Sequence, residues 1–316
     1  MEATLWSEQC LRTARLSVEV AGLRLRNPTM LASGVLGYSS ASLKRVEEGG
    51  AGAVVTKSVG LKPRKGYANP TVFQADCGLI NAMGLPNPGI EEFTSEIREA
   101  KLELNVPLVV SVYGYNVREY AAVASKAADA GADAVELNVS CPHVKDTGAE
   151  IGRSPRLLSD VVAGVKGAVG CPVLVKLSPN VSDIGELAES AAKAGADALT
   201  VMNTVRALAI DSETMMPVLS NSVGGLSGPA VKPIALRNVY EVYKRVKLPI
   251  IGCGGVRSWR DAAEFLLAGA SAVQIGTAVA TEGLDVFGAV ARGLDSYLRE
   301  KGFGSVKDIV GLSHRN

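Results

Sequence analysis

Histidine is nearly absent from this chain, with 2 among 316 residues, so a metal centre built on imidazole does not fit it. No charge of either sign is in surplus: 33 Lys+Arg against 32 Asp+Glu leave a net charge of +1. That balance provides no basic footprint for nucleic acid or for an anionic membrane surface. No apolar run approaches the ~18 residues needed to span a bilayer. The opening stretch, MEATLWSEQCLRTARL, carries acids and amides where a signal peptide keeps an uninterrupted apolar segment. The expectation is a soluble, cytoplasmic protein with neither a nucleic-acid nor a membrane partner. Its five cysteines, Cys10, Cys77, Cys141, Cys171 and Cys253, form no C-x-x-C pair. Their scatter is wrong for a zinc or iron–sulfur site, so they read as reduced thiols and no metal is expected.

Aromatic residues are few, at 5%, while glycine is abundant at 34, which suits a fold made of many short loops. The glycines are also placed in a pattern. Four stretches repeat one phrase: GGAGAVVTKS (49–58), AGADAVELNVS (130–140), AGADALTVMNT (194–204) and AGASAVQIGTA (268–278). Each follows a segment with helical spacing, several of them Ala-rich, such as REYAAVASKAADA; a glycine then ends the helix and a short buried strand begins. TMLASG (29–34), PLVVSVYG (107–114), PVLVKLS (172–178) and PIIGCGG (249–255) supply four more strands. Eight strands separated by helical segments favour a closed (β/α)8 TIM barrel over an open doubly wound sheet. LSVEVAGLRLRNP alternates at period two about Ala21-Gly22, which predicts an N-terminal β-hairpin closing the barrel bottom. No linker or low-complexity tract divides the chain, so 1–316 reads as a single domain with residues 1–15 as an N-terminal extension.

In such barrels the chemistry gathers at the C-terminal ends of the strands. Here those ends read Ser33-Gly34, Thr56-Lys57-Ser58, Ser111, Asn138 with Ser140-Cys141, Lys176 with Ser178, Asn203-Thr204, Gly254-Gly255 and Gly276-Thr277. Polar groups thus recur at one end of nearly every strand. GCGGV (252–256) and IGTA (275–278) follow the seventh and eighth strands, where backbone N–H groups often hold a phosphate; the alternative is a pair of tight turns. GGLSGPA (224–230) reads as a third Gly/Ser loop able to line the same pocket. Lys57 and Lys176 end apolar strands, where a charge needs a partner or must reach out to the rim. A phosphate in the mouth could use one of them, and a reduced flavin ring could use both. The segment NPTVFQADCGLINAMGLPNPG (69–89) is longer than a connecting turn requires and reads as an ordered, amide-presenting loop; a plain surface loop is the alternative. Cys141 is either a small buried hydrophobe or a working thiol at the hinge of a lid over Pro142–Gly152.

NAMGLPNPG, ELNVSCP, VLVKLSPN, VMNT, GGLSGPA and IGTA, in this order, give the chain a resemblance to class 1 dihydroorotate dehydrogenases, most closely to the catalytic subunit of the 1B type. The likeness runs from about Leu16 to the end. It implies a TIM barrel with FMN at its mouth that oxidises (S)-dihydroorotate to orotate in pyrimidine biosynthesis. On the resemblance, Cys141 is the base that removes the C5 proton while the C6 hydride passes to flavin N5. Ser33, Lys57, Ser58, Ser111, Asn138, Lys176, Met202, Gly228, Gly254, Gly255, Gly276 and Thr277 fall at FMN-contacting positions. Lys57, Asn81, Ala82, Met83, Gly84, Leu85, Asn138, Asn203 and Thr204 fall at substrate positions. Ser111 and His143 depart from the asparagines common at those places in relatives. The 1B likeness also implies electrons leaving to NAD through a separate FAD and [2Fe-2S] subunit, in a heterotetramer of two catalytic and two electron-transfer chains, with the catalytic chains forming a homodimer. Two alternatives remain: a dihydropyrimidine dehydrogenase-like flavin barrel acting on another reduced pyrimidine, and a flavin-free barrel whose lysine forms a Schiff base.

Overall fold

The computed structural model describes residues 14–139 and 151–315. Two short strands, β1 (Val18–Val20) and β2 (Leu23–Leu25), pair antiparallel about a turn in which Ala21 and Gly22 both take positive φ. Their outward residues, Glu19 and Arg24, face each other, while Val18, Val20, Leu23 and Leu25 are buried in the main core. Arg26 follows at once and donates to the carbonyls of Glu47 and Ala51, just before the second barrel strand. The hairpin therefore sits at the N-terminal end of the barrel, as its sequence pattern implies.

The barrel strands are β3 (Thr29–Leu31), β4 (Val54–Val55), β7 (Leu108–Val112), β8 (Ala134–Asn138), β9 (Val173–Lys176), β10 (Ala198–Val201), β15 (Ile250–Cys253) and β16 (Ala272–Ile275). All run parallel, in the spatial order β3-β16-β15-β10-β9-β8-β7-β4. The ring closes where Leu31 N–H donates to Ala53 O (3.1 Å) and Gly52 N–H donates to Thr29 O (2.8 Å). The eight predicted strands are these eight, each followed along the chain by a helical segment packed outside.

The repeated phrase has a local cause. Gly50, Gly131, Gly195 and Gly269 all take positive φ, between 96° and 116°, which turns the chain from each helix into the next strand at little steric cost. Two of the phrases carry an aspartate at their fourth position, and both aspartates do the same job. Asp133 accepts from Leu108 N–H, where β7 begins, and pairs with Lys101. Asp197 accepts from Val173 N–H, where β9 begins, and pairs with Lys166.

A second sheet lies over the opposite end. Its strands, β5 (Val72–Ala75), β6 (Gly78–Asn81), β11 (Val205–Leu208) and β14 (Val223–Ser227), run antiparallel in the order β11-β14-β6-β5. A small hairpin, β12 (Ile210–Asp211) with β13 (Met216–Pro217), extends the same excursion. This corrects two expectations: much of 69–89 is a strand hairpin rather than turns alone, and most of GGLSGPA is strand β14 rather than loop. Glycine stands in that strand because neighbours come too close for anything larger. A Cβ on Gly224 would meet Asn81 O at 2.7 Å, and one on Gly225 would meet the Thr204 side chain.

Candidate active site

On one side of the mouth the strand tips are joined by side-chain hydrogen bonds. Ser33, after β3, meets Ser58 Oγ at 3.3 Å, and Ser58 meets Ser111 Oγ of β7 at 2.9 Å. Asn138, the last residue of β8, donates from Nδ2 to Ser58 Oγ (3.0 Å) and accepts at Oδ1 from Asn203 Nδ2 (3.2 Å). Asn203 Oδ1 accepts from Thr204 N–H at 2.8 Å. Six predicted site residues from five strand ends thus form one continuous chain. Each amide is oriented by its neighbour, so the edge they present has fixed donor and acceptor positions. Ser111 is fully buried, and its hydroxyl serves Ser58.

The opposite side is built from backbone. Gly254 and Gly255, after β15, take φ of +134° and +80°. A Cβ on Gly255 would meet Gly228 O and Lys232 Cβ, both at 2.8 Å, so this turn is pressed against the end of β14 and the start of the helix Lys232–Arg245. Thr277 donates to Ser227 Oγ (2.8 Å), tying the turn after β16 to the same point. Met202 is buried next to Gly254 and accepts at Sδ from Asn238 Nδ2 (3.0 Å). Gly276 completes the circuit: a Cβ there would press on Ala32, the neighbour of Ser33. Glycine turns converging at the start of a helix make a cradle suited to an anion held by N–H groups.

Lys57 and Lys176 stand at the ends of β4 and β9, each almost wholly buried. Lys57 is held by its backbone, whose N–H donates to Gly37 O, and its ammonium lies 5.9 Å from the Tyr38 ring centroid. Burial pushes the Tyr38 phenol up, so that ring stays neutral at ordinary pH. Lys176 Nζ donates to Gln274 Oε1 at 2.8 Å. Burial is the largest influence on Lys176 and works against its charge, but the facing Cys253 and Glu136 outweigh it and raise its pKa above the ordinary lysine value. Burial likewise pushes the Cys253 thiol up, and the Glu136 carboxyl group lies 3.9 Å from the lysine ammonium.

The loop after β6 is held in place by hydrogen bonds to several other segments. Asn81 donates to Gly225 O, and the buried Ala82 gives its N–H to Thr71 O. Met83 O accepts from Tyr67 N–H, and Gly84 and Leu85 both take positive φ. Arg64 then donates to Gly84 O (2.6 Å) and to the Tyr115 hydroxyl (2.9 Å). Asn87 accepts from Gly60 and Gly89 N–H and donates to Leu85 O and the Tyr113 hydroxyl. Asn180 donates to Thr204 O and accepts from Arg206 N–H, fixing the far end of the amide chain. Asn87 belongs to the amide-presenting loop expected over 69–89; nothing local marked Arg64. Cys141, and the lid expected over Pro142–Gly152 except for its last two residues, lie outside the described residues.

A family model described as dihydroorotate dehydrogenase matches residues 15–298. Among curated relatives, one from Pyrococcus abyssi is 52% identical over 298 residues, covering 94% of this chain and 99% of that protein. One from Thermococcus kodakarensis is 50% identical over 303 residues, covering 96% and 99%. One from Methanothermobacter thermautotrophicus is 50% identical over 301 residues, covering 95% and 98%. All three are named dihydroorotate dehydrogenase B (NAD(+)), catalytic subunit.

Proposed function

The chain belongs to the dihydroorotate dehydrogenase family, and on that premise we propose how its residues divide the work. It is an oxidoreductase of pyrimidine biosynthesis that oxidises dihydroorotate to orotate and passes the electrons on through a partner subunit. The family is flavin-dependent, and the residues present fit FMN. A glycine cradle whose Cβ positions are filled by neighbouring backbone suits the phosphate, and a row of oriented amides and hydroxyls suits the edges of a flat heteroaromatic ring.

When bound, FMN supplies a hydride acceptor. Gly228, Gly254, Gly255, Gly276 and Thr277 hold its phosphate end with backbone groups; Ser33, Ser58, Asn138, Lys176 and Met202 line the ring. Ser111, whose hydroxyl is engaged by Ser58, acts on the ring by fixing that serine. Lys57, Asn138, Asn203 and Thr204 hold the substrate from the barrel side, with Asn81, Ala82, Met83, Gly84 and Leu85 facing it from the loop. Cys141 takes the C5 proton onto Sγ as the C6 hydrogen leaves with its electron pair, so the substrate loses the equivalent of two hydrogens. Only the thiolate is an effective base, and a charged Lys57 or His143 nearby would favour it.

The observation that carries this reading is the unbroken hydrogen-bonded chain from Ser33 to Thr204 across five strand ends, opposite the cradle. The Schiff-base alternative is disfavoured at Lys176, whose amine is engaged by Gln274 Oε1 and lies beside the Glu136 carboxyl group rather than in an apolar pocket. With five scattered cysteines and no C-x-x-C, this chain leaves FAD and a [2Fe-2S] cluster to the electron-transfer subunit. Two catalytic chains, paired as a homodimer, would join two such subunits in a heterotetramer. Among the described residues no helix is long and apolar enough to cross a membrane, in keeping with a cytoplasmic enzyme.

The test is the absorption spectrum of the purified protein before and after anaerobic dihydroorotate. A yellow protein that bleaches supports the reading; a colourless one, or one bleached by dihydrouracil and not by dihydroorotate, overturns it. Cys141→Ser should keep its flavin and lose about 10²–10⁴-fold in the rate of bleaching. An unchanged rate would remove Cys141 from its role.

A further inference from the structure

Below the mouth, four strands point polar side chains at one spot inside the barrel. Glu136 of β8 and Thr200 of β10 are 0% exposed, Gln274 of β16 is 1% and Lys176 of β9 is 5%. Glu136 Oε2 accepts from Gln274 Nε2 (2.6 Å) and from Thr200 Oγ1 (2.8 Å). Its other oxygen, Oε1, has no hydrogen-bond partner among the described residues and lies 3.9 Å from Lys176 Nζ. Gln274 bridges the two charges, accepting from the lysine at Oε1 and donating to the carboxylate at Nε2.

A carboxyl group with no exposure forgoes its hydration, and a hydrophobic side chain would fill a barrel centre without that penalty. The groups facing Lys176 are Glu136, Thr200, Cys253 and Gln274. Of these only Glu136 carries a carboxyl group, and it lies 3.9 Å from the lysine ammonium. Alone, a lysine buried this deeply would shed its proton and leave the mouth without its cation.

We propose that Glu136 is a positioning residue for the flavin chemistry: through Gln274 it aims the Lys176 ammonium at the mouth and keeps it charged. The inference rests on the FMN reading above. Its consequence is that reduction adds negative charge next to a cation already in place, with no proton needed on the lysine.

The experiment follows the FMN midpoint potential from about pH 6 to 9.5 in the holoenzyme. In the wild type, Lys176 contributes no break in that range. In Glu136→Gln its proton is held less tightly, so above the new lysine pKa reduction takes up one further proton per two electrons and the slope steepens. The added slope should vanish in Glu136→Gln/Lys176→Met. Flavin-free protein gives an independent readout. In Glu136→Gln, Lys176 titrates lower in the folded than in the unfolded chain, so the variant's Tm deficit should shrink as pH rises. A deficit constant with pH, or a potential parallel to wild type throughout, would overturn the proposal. Wild type that dihydroorotate never bleaches would instead sink the FMN reading, while the Tm arm would still test the Glu136–Lys176 coupling.

Discussion

The two ends of this barrel are written differently. At the N-terminal end the same words recur: Asp133 and Asp197 stand at matching places in a repeated phrase, and each caps the start of the preceding strand and pairs with a lysine of the helix that leads into that strand. At the C-terminal end no two strands end alike. Serine, lysine, asparagine and glycine each occupy particular tips, and their hydrogen bonds run between strands rather than repeating within each unit. Repetition solves a problem that every unit shares, which is how to begin a buried strand without an orphaned N–H. Variation solves a problem posed once, which is how to hold one asymmetric ligand.

Substitutions at the two ends should therefore separate activity from stability. The largest effect is expected from Asn138→Ala, which cuts the amide chain in its middle: kcat/KM for dihydroorotate should fall about 10²-fold or more while Tm changes little. A fall in Tm with unchanged kinetics would reverse the distinction. Next is Gly255→Val, which forces a branched side chain into a positive-φ site facing Gly228 O. With ~1–3 kcal/mol of strain at the cradle, FMN should dissociate on dilution where wild type retains it, measured by flavin fluorescence.

At the other end, Asp197→Ala removes a cap and an ion pair together. A loss of ~1–3 kcal/mol in unfolding free energy is expected, with FMN content and KM unchanged. The smallest effect is at Glu47, near the same end. Burial pushes its pKa up, but Lys44 and the Asn105 N–H together hold it below the ordinary carboxylate value. Its contribution is therefore present above the unfolded pKa and lost as pH falls through the folded one. The stability difference between wild type and Glu47→Gln, ~1 kcal/mol at about pH 6, should shrink as pH falls below the ordinary carboxylate value and vanish once it passes the lower, folded one, as read by Tm.

Much of this was legible in advance because it depends on local chemistry. Glycines that must take positive φ mark where helices end, and polar residues closing apolar runs mark strand tips. Lys57, Asn138, Lys176 and Asn203 were found that way. Glu136 and Gln274 were not, although AVELN and AVQIG each carry a polar residue inside a buried run. A barrel strand is buried on both faces, so alternation no longer tells which residues point to the centre and which to the helices. Arg64 and Asn180 escaped for another reason: each acts on backbone of a different segment, Gly84 and Thr204, by tertiary contact alone.

The sequence by itself determined the number of units, their parallel arrangement and the end of the barrel where chemistry collects, because each of these follows from periodicity and turn geometry within about 40 residues. The tertiary structure decided that most of GGLSGPA is a strand, since Gly225 pairs with Asn81, 144 residues away. It also decided that a carboxylate sits beneath Lys176, since closing the ring brings β8, β9, β10 and β16 to a common axis. Charges brought together by closure interact through a low-dielectric interior, and no spacing along the chain encodes that distance.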